Sequence, residues 1–380
     1  MTRARTVLIA TASLLLMIAG TTWPFVVAVL SPVLIAELDL SATVLGVAYA
    51  SYYLSGSAWS TFAGRIVDRG GFRVAGTVII VVAVAQHVML AAARGPGLLL
   101  ASGALGGLAL ALTNPTTNAL ISTLLSGPAA RTAVGIKQTG VPASGTFAGT
   151  ITPLAAAALG WRGAVLVTLV LSAVALVLLA AVRGPGGGGP IDTRPVAVRR
   201  RFGLERYVLG MGMISSALSG YLVLYIVATF DGSVQRAGTL VAAFAVSGAV
   251  GRIVWTAVGG GARNLPILRM LGTVGALALI GLTASPFEWG VWAAVIVLGL
   301  TVHAWQGLGM LAVIEADRSG TIGATSARVM RHFFHGFVIG APLAGALIDR
   351  IGFRAAWATL VVVALLAVVT LRPPERAEVS

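Results

Sequence analysis

Lys137 is the single lysine of this chain against 25 arginines, and it falls inside an apolar run beside Gln138. A cation in membrane-length apolar sequence is expensive and marks a functional site by default. It lies six residues past Arg131, about 9 Å at helical rise, so a snorkelling contact with an interface is the plain alternative. Asn114 and Asn118 stand i, i+4 on the preceding run, which places both amides on one helical face. His303, followed by Trp305 and Gln306, falls near the middle of a later run. Histidine titrates near neutral pH and can carry a coupling proton, or can pack as a neutral, hydrogen-bonded ring. Tyr221 and Tyr225, also i, i+4, with Thr22 and Trp23, would complete an aromatic, hydrogen-bonding wall. His332 and His335 follow Arg328 and Arg331 and form a second cationic patch, with the two histidines as further proton-coupling candidates. No third ligand accompanies them, so no metal site is expected. His87 reads as structural.

What is missing narrows the chemistry. Glu37, Asp39, Asp231 and Glu288 sit at one set of run ends or loops and Glu315 and Asp317 at the other, so no carboxylate lies mid-run. Lysine, histidine and amides without an acid suit an anionic or neutral polar solute better than a cation. There is no cysteine, which removes disulfides, thiol nucleophiles and thiolate metal sites. No P-loop, dinucleotide fingerprint or zinc motif occurs, which argues against ATP-driven or hydrolase chemistry, and no cofactor is expected.

The elements that must position these residues are membrane helices. Of 380 residues, 57% are apolar and 10% charged, against about 25% charged in a soluble domain. A span needs about 20 mostly apolar residues. Twelve runs qualify, at 6–30, 44–63, 74–93, 97–119, 132–158, 163–182, 207–230, 237–258, 266–284, 289–314, 326–347 and 355–372. The first is too long for a signal-peptide core of about 7–15 residues. With a cytoplasmic N-terminus, inner segments hold 20 arginines and outer segments 5, so both termini are placed in the cytoplasm. The net charge of +14 is then topogenic and does not point to nucleic acid.

The runs repeat. Gly64-Arg65-Ile66-Val67-Asp68-Arg69-Gly70-Gly71-Phe72-Arg73 returns as Gly345-Ala346-Leu347-Ile348-Asp349-Arg350-Ile351-Gly352-Phe353-Arg354. Gly251-Arg252-Ile253-Val254 repeats its opening, and Gly160-Trp161-Arg162 keeps its glycine–aromatic–arginine end. A three-helix unit used four times is implied. Residues 183–206, containing Pro185-Gly186-Gly187-Gly188-Gly189-Pro190 and Arg199-Arg200-Arg201, form a linker suited to anionic lipid. The linker separates a six-helix bundle at 1–182 from a second at 207–380. Gly140, Pro142 and Gly145 stand 200 residues before Gly340, Pro342 and Gly345. This pattern fits close helix packing and, in matched register, a moving element.

Across essentially its whole length the chain resembles the major facilitator superfamily. Gly64, Asp68, Arg69, Gly71 and Arg73 are similar to that family's loop signature between helices two and three. Gly135, Gly140, Pro142 and Gly145 are similar to the fifth-helix signature of its antiporter branches, with one extra residue between the first two glycines. Those branches carry a fourth-helix arginine where this chain has Ser102, four residues before Gly106, so its proton-relay role is not carried over. The resemblance implies an all-α membrane protein with twelve helices in two pseudo-symmetric bundles around a cavity that opens to each side in turn. It implies that helices 1, 4, 7 and 10 line the cavity, and that Asp68, with Arg69 and Arg73, latches the inner side against the start of helix 11 at residues 324–326. The expected function is secondary transport of a small anionic or neutral polar solute across the inner membrane. Protons are the expected coupling ion, the protein is a monomer among membrane lipids, and it is not an enzyme. A broad-specificity drug/proton antiporter is the first alternative and a non-transporting receptor or scaffold the second.

Overall fold

The computed structural model describes residues 3–183, 203–316 and 322–371; every regular element among them is helical. In chain order these are α1 Arg3–Leu38, α2 Ala42–Ala91, α3 Pro96–Leu124, α4 Gly127–Gln138, α5 Gly140–Val167, α6 Leu169–Ala181, α7 Leu204–Phe230, α8 Val234–Val258, α9 Asn264–Ala284, α10 Glu288–Leu298, α11 Trp305–Ala316, α12 Ile322–Ile351 and α13 Phe353–Thr370. A π turn, Gly299–His303, joins α10 to α11. Helices satisfy their own backbone, which lipid cannot do.

Among the described residues, ten helical stretches are long and apolar enough to cross a membrane. The twelve runs map onto them unevenly. The fifth and sixth runs share one 55-residue stretch, Gly127–Ala181, about 80 Å of helix against a hydrocarbon core of about 30 Å. The second and third runs share α2, 50 residues long, of which Phe62–Ala91 forms the counted part.

The corners that divide these long helices are set by glycine. Gly71, Gly160 and Gly352 have φ of 68°, 69° and 96°. All three are the glycine of a glycine–aromatic–arginine triplet. Only a residue without Cβ takes this conformation cheaply, so the sequence repeat is a repeat of backbone geometry. The arginines beyond the corners have a second use. Arg73 Nη2 donates to the Val182 carbonyl at 2.6 Å and Arg162 Nη2 to the Ala93 carbonyl at 3.1 Å. These residues close the C-terminal ends of α6 and α2, where a cation offsets the helix dipole. Arg269 Nε does the same for Leu371, past the end of α13, at 3.2 Å.

The interior prolines of α1 are answered by hydroxyls. Pro24 cannot donate to the Gly20 carbonyl four residues back; the Tyr52 hydroxyl donates to it instead at 2.8 Å. Pro32 releases the Ala28 carbonyl, which accepts from the Ser31 hydroxyl at 2.8 Å. In a lipid-embedded helix these are requirements, not refinements.

The chain divides into two compact units, Met1–Asp192 with Ser219–Ala242, and Thr193–Leu218 with Ala243–Ser380. The division passes through α7. Of the linker expected at 183–206, residues 184–202 lie outside the described set, including its Gly/Pro and arginine runs.

Candidate functional site

In the first unit, α3 and α4 build a nest around one ammonium. Ser126 and Gly127-Pro128 start α4, and its last turn carries Lys137. The backbone turns at Thr139 before α5 begins at Gly140, where Pro142 leaves the Gln138 carbonyl without its helical donor. Lys137 therefore sits in the last turn of α4, just before the turn at Thr139. Its Nζ donates to Asn118 Oδ1 at 2.6 Å, Thr117 Oγ1 at 3.1 Å and Asn114 Oδ1 at 3.2 Å. The three acceptors stand at i, i+3 and i+4 on one face of α3. They match the three protons of an ammonium.

Lys137 is 1% exposed, while Asn114 and Asn118 remain exposed. All three partners are neutral, and Lys137 has no carboxylate partner among the described residues. Removing one charge from water without a counter-ion costs several kcal/mol even after relaxation. The nest lowers that cost with oriented dipoles but leaves a net positive charge. The exposed amides flank it, with N–H donors of their own.

Thr117, which the sequence reading passed over, ties the nest to α1: its hydroxyl lies 3.9 Å from Met17 Sδ. A Cβ added to Gly140 would stand 2.4 Å from Met17 Cβ, so α5 starts in direct contact with α1. Ser144 and Thr21 then share a hydrogen bond of 2.9 Å across the same pair of helices.

The other candidates are placed as follows. Thr22 donates to the Ile18 carbonyl of its own helix at 2.6 Å. Trp23 stacks on Tyr52 with ring centroids 5.4 Å apart, and its Nε1 donates to Ser102 Oγ at 3.1 Å. Ser102, at the position of the antiporter arginine, thus holds an aromatic ring. The Tyr221 hydroxyl donates to the Ala42 carbonyl at 2.7 Å, and Tyr225 meets Phe230 edge-on. Gln138 is exposed. Structure brings Lys137, Asn114 and Asn118 together; Trp23 and Tyr221 direct their polar atoms to protein partners. His87 is buried, with Nδ1 2.7 Å from the Ala83 carbonyl.

In the second unit, His303 is buried at the end of the π turn, with no partner for Nδ1 among the described residues and the Phe244 ring 5.0 Å away. Trp305 is buried edge-on to Tyr207 and Phe333, and Gln306 is half-buried. His332 and His335 lie 6.1 Å apart; His332 Nδ1 is 2.9 Å from the Arg328 carbonyl, and Arg328 pairs with Glu205 at 3.6 Å.

Of the gating candidates, Gly64 and Asp68 are half-buried and Arg69 is exposed, while Gly71 forms the corner and Arg73 the helix-end contact described above. Pro142, Gly145 and Gly345 are buried or half-buried in their helices along with Pro342. The side chains at 324–326, the expected partner of Asp68, lie outside the described set.

A family model described as the Major Facilitator Superfamily matches residues 12–328. The chain belongs to the Major Facilitator Superfamily. Its fold agrees. A bacterial homologue of the human lysosomal transporter Spinster, solved inward-facing and occupied, superposes with a TM-score of 0.81 over 97% of both chains at 15% identity. The same homologue, inward-facing and unoccupied, gives 0.75 over 97% of both chains at 14% identity. No curated protein sequence matches. Membership makes this chain a multi-pass membrane transporter of the superfamily, and the Lys137 nest is a feature of its own residues.

Proposed function

We propose that this transporter moves a small anionic or neutral polar organic solute by alternating access, with Lys137 as its binding charge. The reading rests on one observation: a buried ammonium held by three neutral oxygens, with no carboxylate beside it among the described residues. A carboxylate solute would supply the missing counter-charge, and the Asn114 and Asn118 amides would donate to it. Gln138 and the run from His303 to Gln306, with Tyr221, Tyr225, Thr22 and Trp23, complete the proposed path. Coupling is assigned to protons. His303 is the first carrier, because it is buried with no partner for Nδ1 among the described residues; His332 and His335 are the others.

Twelve passes in two six-helix bundles, split at the linker 183–206, are part of the proposal. So are a monomer in the inner membrane, cytoplasmic termini, and a latch formed by Asp68, Arg69 and Arg73. Gly140, Pro142 and Gly145 and their counterparts Gly340, Pro342 and Gly345 are the moving seams. Support for the orientation is the 20-to-5 arginine bias.

The test is flux in proteoliposomes. Uptake of organic acids that rises with an inward proton gradient and is lost in Lys137→Ala supports the reading; uptake unchanged in that variant rejects the site. The tight seam at Gly140, within a pattern similar to antiporters, favours a drug/proton antiporter as the second reading. Proton-driven efflux of lipophilic cations would select it.

A further inference from the structure

The third copy of the corner motif keeps the opening of the first and then departs from it. Gly64-Arg65-Ile66-Val67 is followed by Asp68, and Gly251-Arg252-Ile253-Val254 by Trp255. An indole can donate a hydrogen bond but cannot accept one or carry charge. Trp255 Nε1 donates to the Leu300 carbonyl at 2.7 Å, and Arg252 Nε donates to the His303 carbonyl at 3.2 Å. Both carbonyls belong to the π turn Gly299–His303.

The backbone explains why a donor is needed there. In an α-helix the Ala304 amide would serve the Leu300 carbonyl. Here that amide bonds to the Thr301 carbonyl at 3.2 Å, and the Leu300 carbonyl accepts from the Trp255 indole. A π turn inside a helix is rare and often sits at a functional site. A carbonyl that has lost its α-helical donor gains from a side-chain donor in an apolar setting. If the turn closed to α geometry, Leu300 would regain Ala304, and the residues beyond would rotate by about 100° relative to α10, one residue's share of a helical turn.

We infer that Trp255 and Arg252 are positioning residues: their paired donors hold the π turn in place and so fix where His303 and α11 point. His303 ends the turn, and Arg252 is the charged side chain set against it. The clamp itself stands on geometry alone; its consequence for transport rests on the reading above, in which His303 carries the coupling proton.

Hydrogen–deuterium exchange on the full-length purified protein, read on peptides covering residues 297–306, tests the clamp. Trp255→Phe keeps the ring and removes the donor; it should speed exchange there by about tenfold, the scale of one lost hydrogen bond. Arg252→Gln should give a smaller increase. Trp255→His, which restores a ring N–H, should recover protection, and Trp289→Phe, at an exposed tryptophan, should change nothing. Unchanged exchange in Trp255→Phe overturns the clamp, as does failure of Trp255→His to differ from it.

The positioning role is read from the pH profile of flux. It should shift in Trp255→Phe and return in Trp255→His; an unshifted profile with accelerated exchange would leave a clamp that positions nothing. Absence of flux in the wild type would remove the transport reading, and the exchange result would still decide the clamp.

Discussion

The start of α5 and the middle of α12 share a close glycine packing and differ in chemistry. At Gly140 an added Cβ would stand 2.4 Å from Met17 Cβ, and at Gly340 it would stand 2.4 Å from the Met213 carbonyl oxygen. Each glycine, 200 residues from the other, brings its helix against another: Gly140 meets α1 at Met17 and Gly340 meets α7 at Met213. Three residues earlier the halves part. Lys137 meets three oxygens, whereas Phe337 at the matching position is buried 4.9 Å from the Phe333 ring. The repeat therefore preserves the packing that a helix pair needs and leaves the neighbouring position free to specialise. One half has a charge prepared for a partner, and the other has an apolar cluster in its place.

Exchanging the chemistry between the halves should give the largest effect. Phe337→Lys places an ammonium where no nest awaits it. A loss of several kcal/mol is expected for an unpaired buried charge, seen as a collapse of the folded fraction in size-exclusion and thermal unfolding. Phe337→Leu, by contrast, should stay folded. Next in size is the shared seam. Gly140→Ala and Gly340→Ala should each destabilise by about 1–3 kcal/mol through overpacking, to a similar degree in unfolding midpoint. A large cost at one seam and none at the other would break the comparison.

A comparable effect is expected from Tyr52→Phe, which leaves the Gly20 carbonyl without its donor opposite Pro24. The expected loss is about 1–3 kcal/mol at most, the range for an orphaned buried acceptor. Pro24→Ala in the same background should recover it, because the helix then supplies its own amide. The smallest is at the helix ends. Arg73→Gln should cost about 0.3–1 kcal/mol, the usual value of a cation at a helix C-terminus, measured as a lowered midpoint.

Much of this was readable in the residues, for identifiable reasons. Lys137, Asn114 and Asn118 could be joined because helical spacing fixes which residues share a face, and consecutive spans pack together. Thr117 sits on that same face between the two asparagines and was overlooked among three threonines in the run 113–118. The triplets Gly71-Phe72-Arg73, Gly160-Trp161-Arg162 and Gly352-Phe353-Arg354 announced the corners, since a repeated glycine implies a repeated conformation. The π turn gave no such sign. Gly299-Leu300-Thr301-Val302-His303 reads as ordinary apolar helix, and the groups that secure its carbonyls, Trp255 and Arg252, are 45 and 51 residues away in sequence. Hydropathy likewise cannot show where one long helix bends, as at Gly71 and Gly160. Trp23 and Tyr221 were legible as aromatic candidates, but their partners, Ser102 and the Ala42 carbonyl, depend on tertiary packing.

The most direct measurement of the central claim is ligand-induced thermal stabilisation of the purified protein across a panel of small organic acids, in wild type, Lys137→Gln and Phe337→Leu. At least one acid should raise the unfolding midpoint of wild type and Phe337→Leu, and the same acid should leave Lys137→Gln unmoved although that variant is folded. Equal stabilisation of all three proteins would contradict the assignment of the binding charge to Lys137.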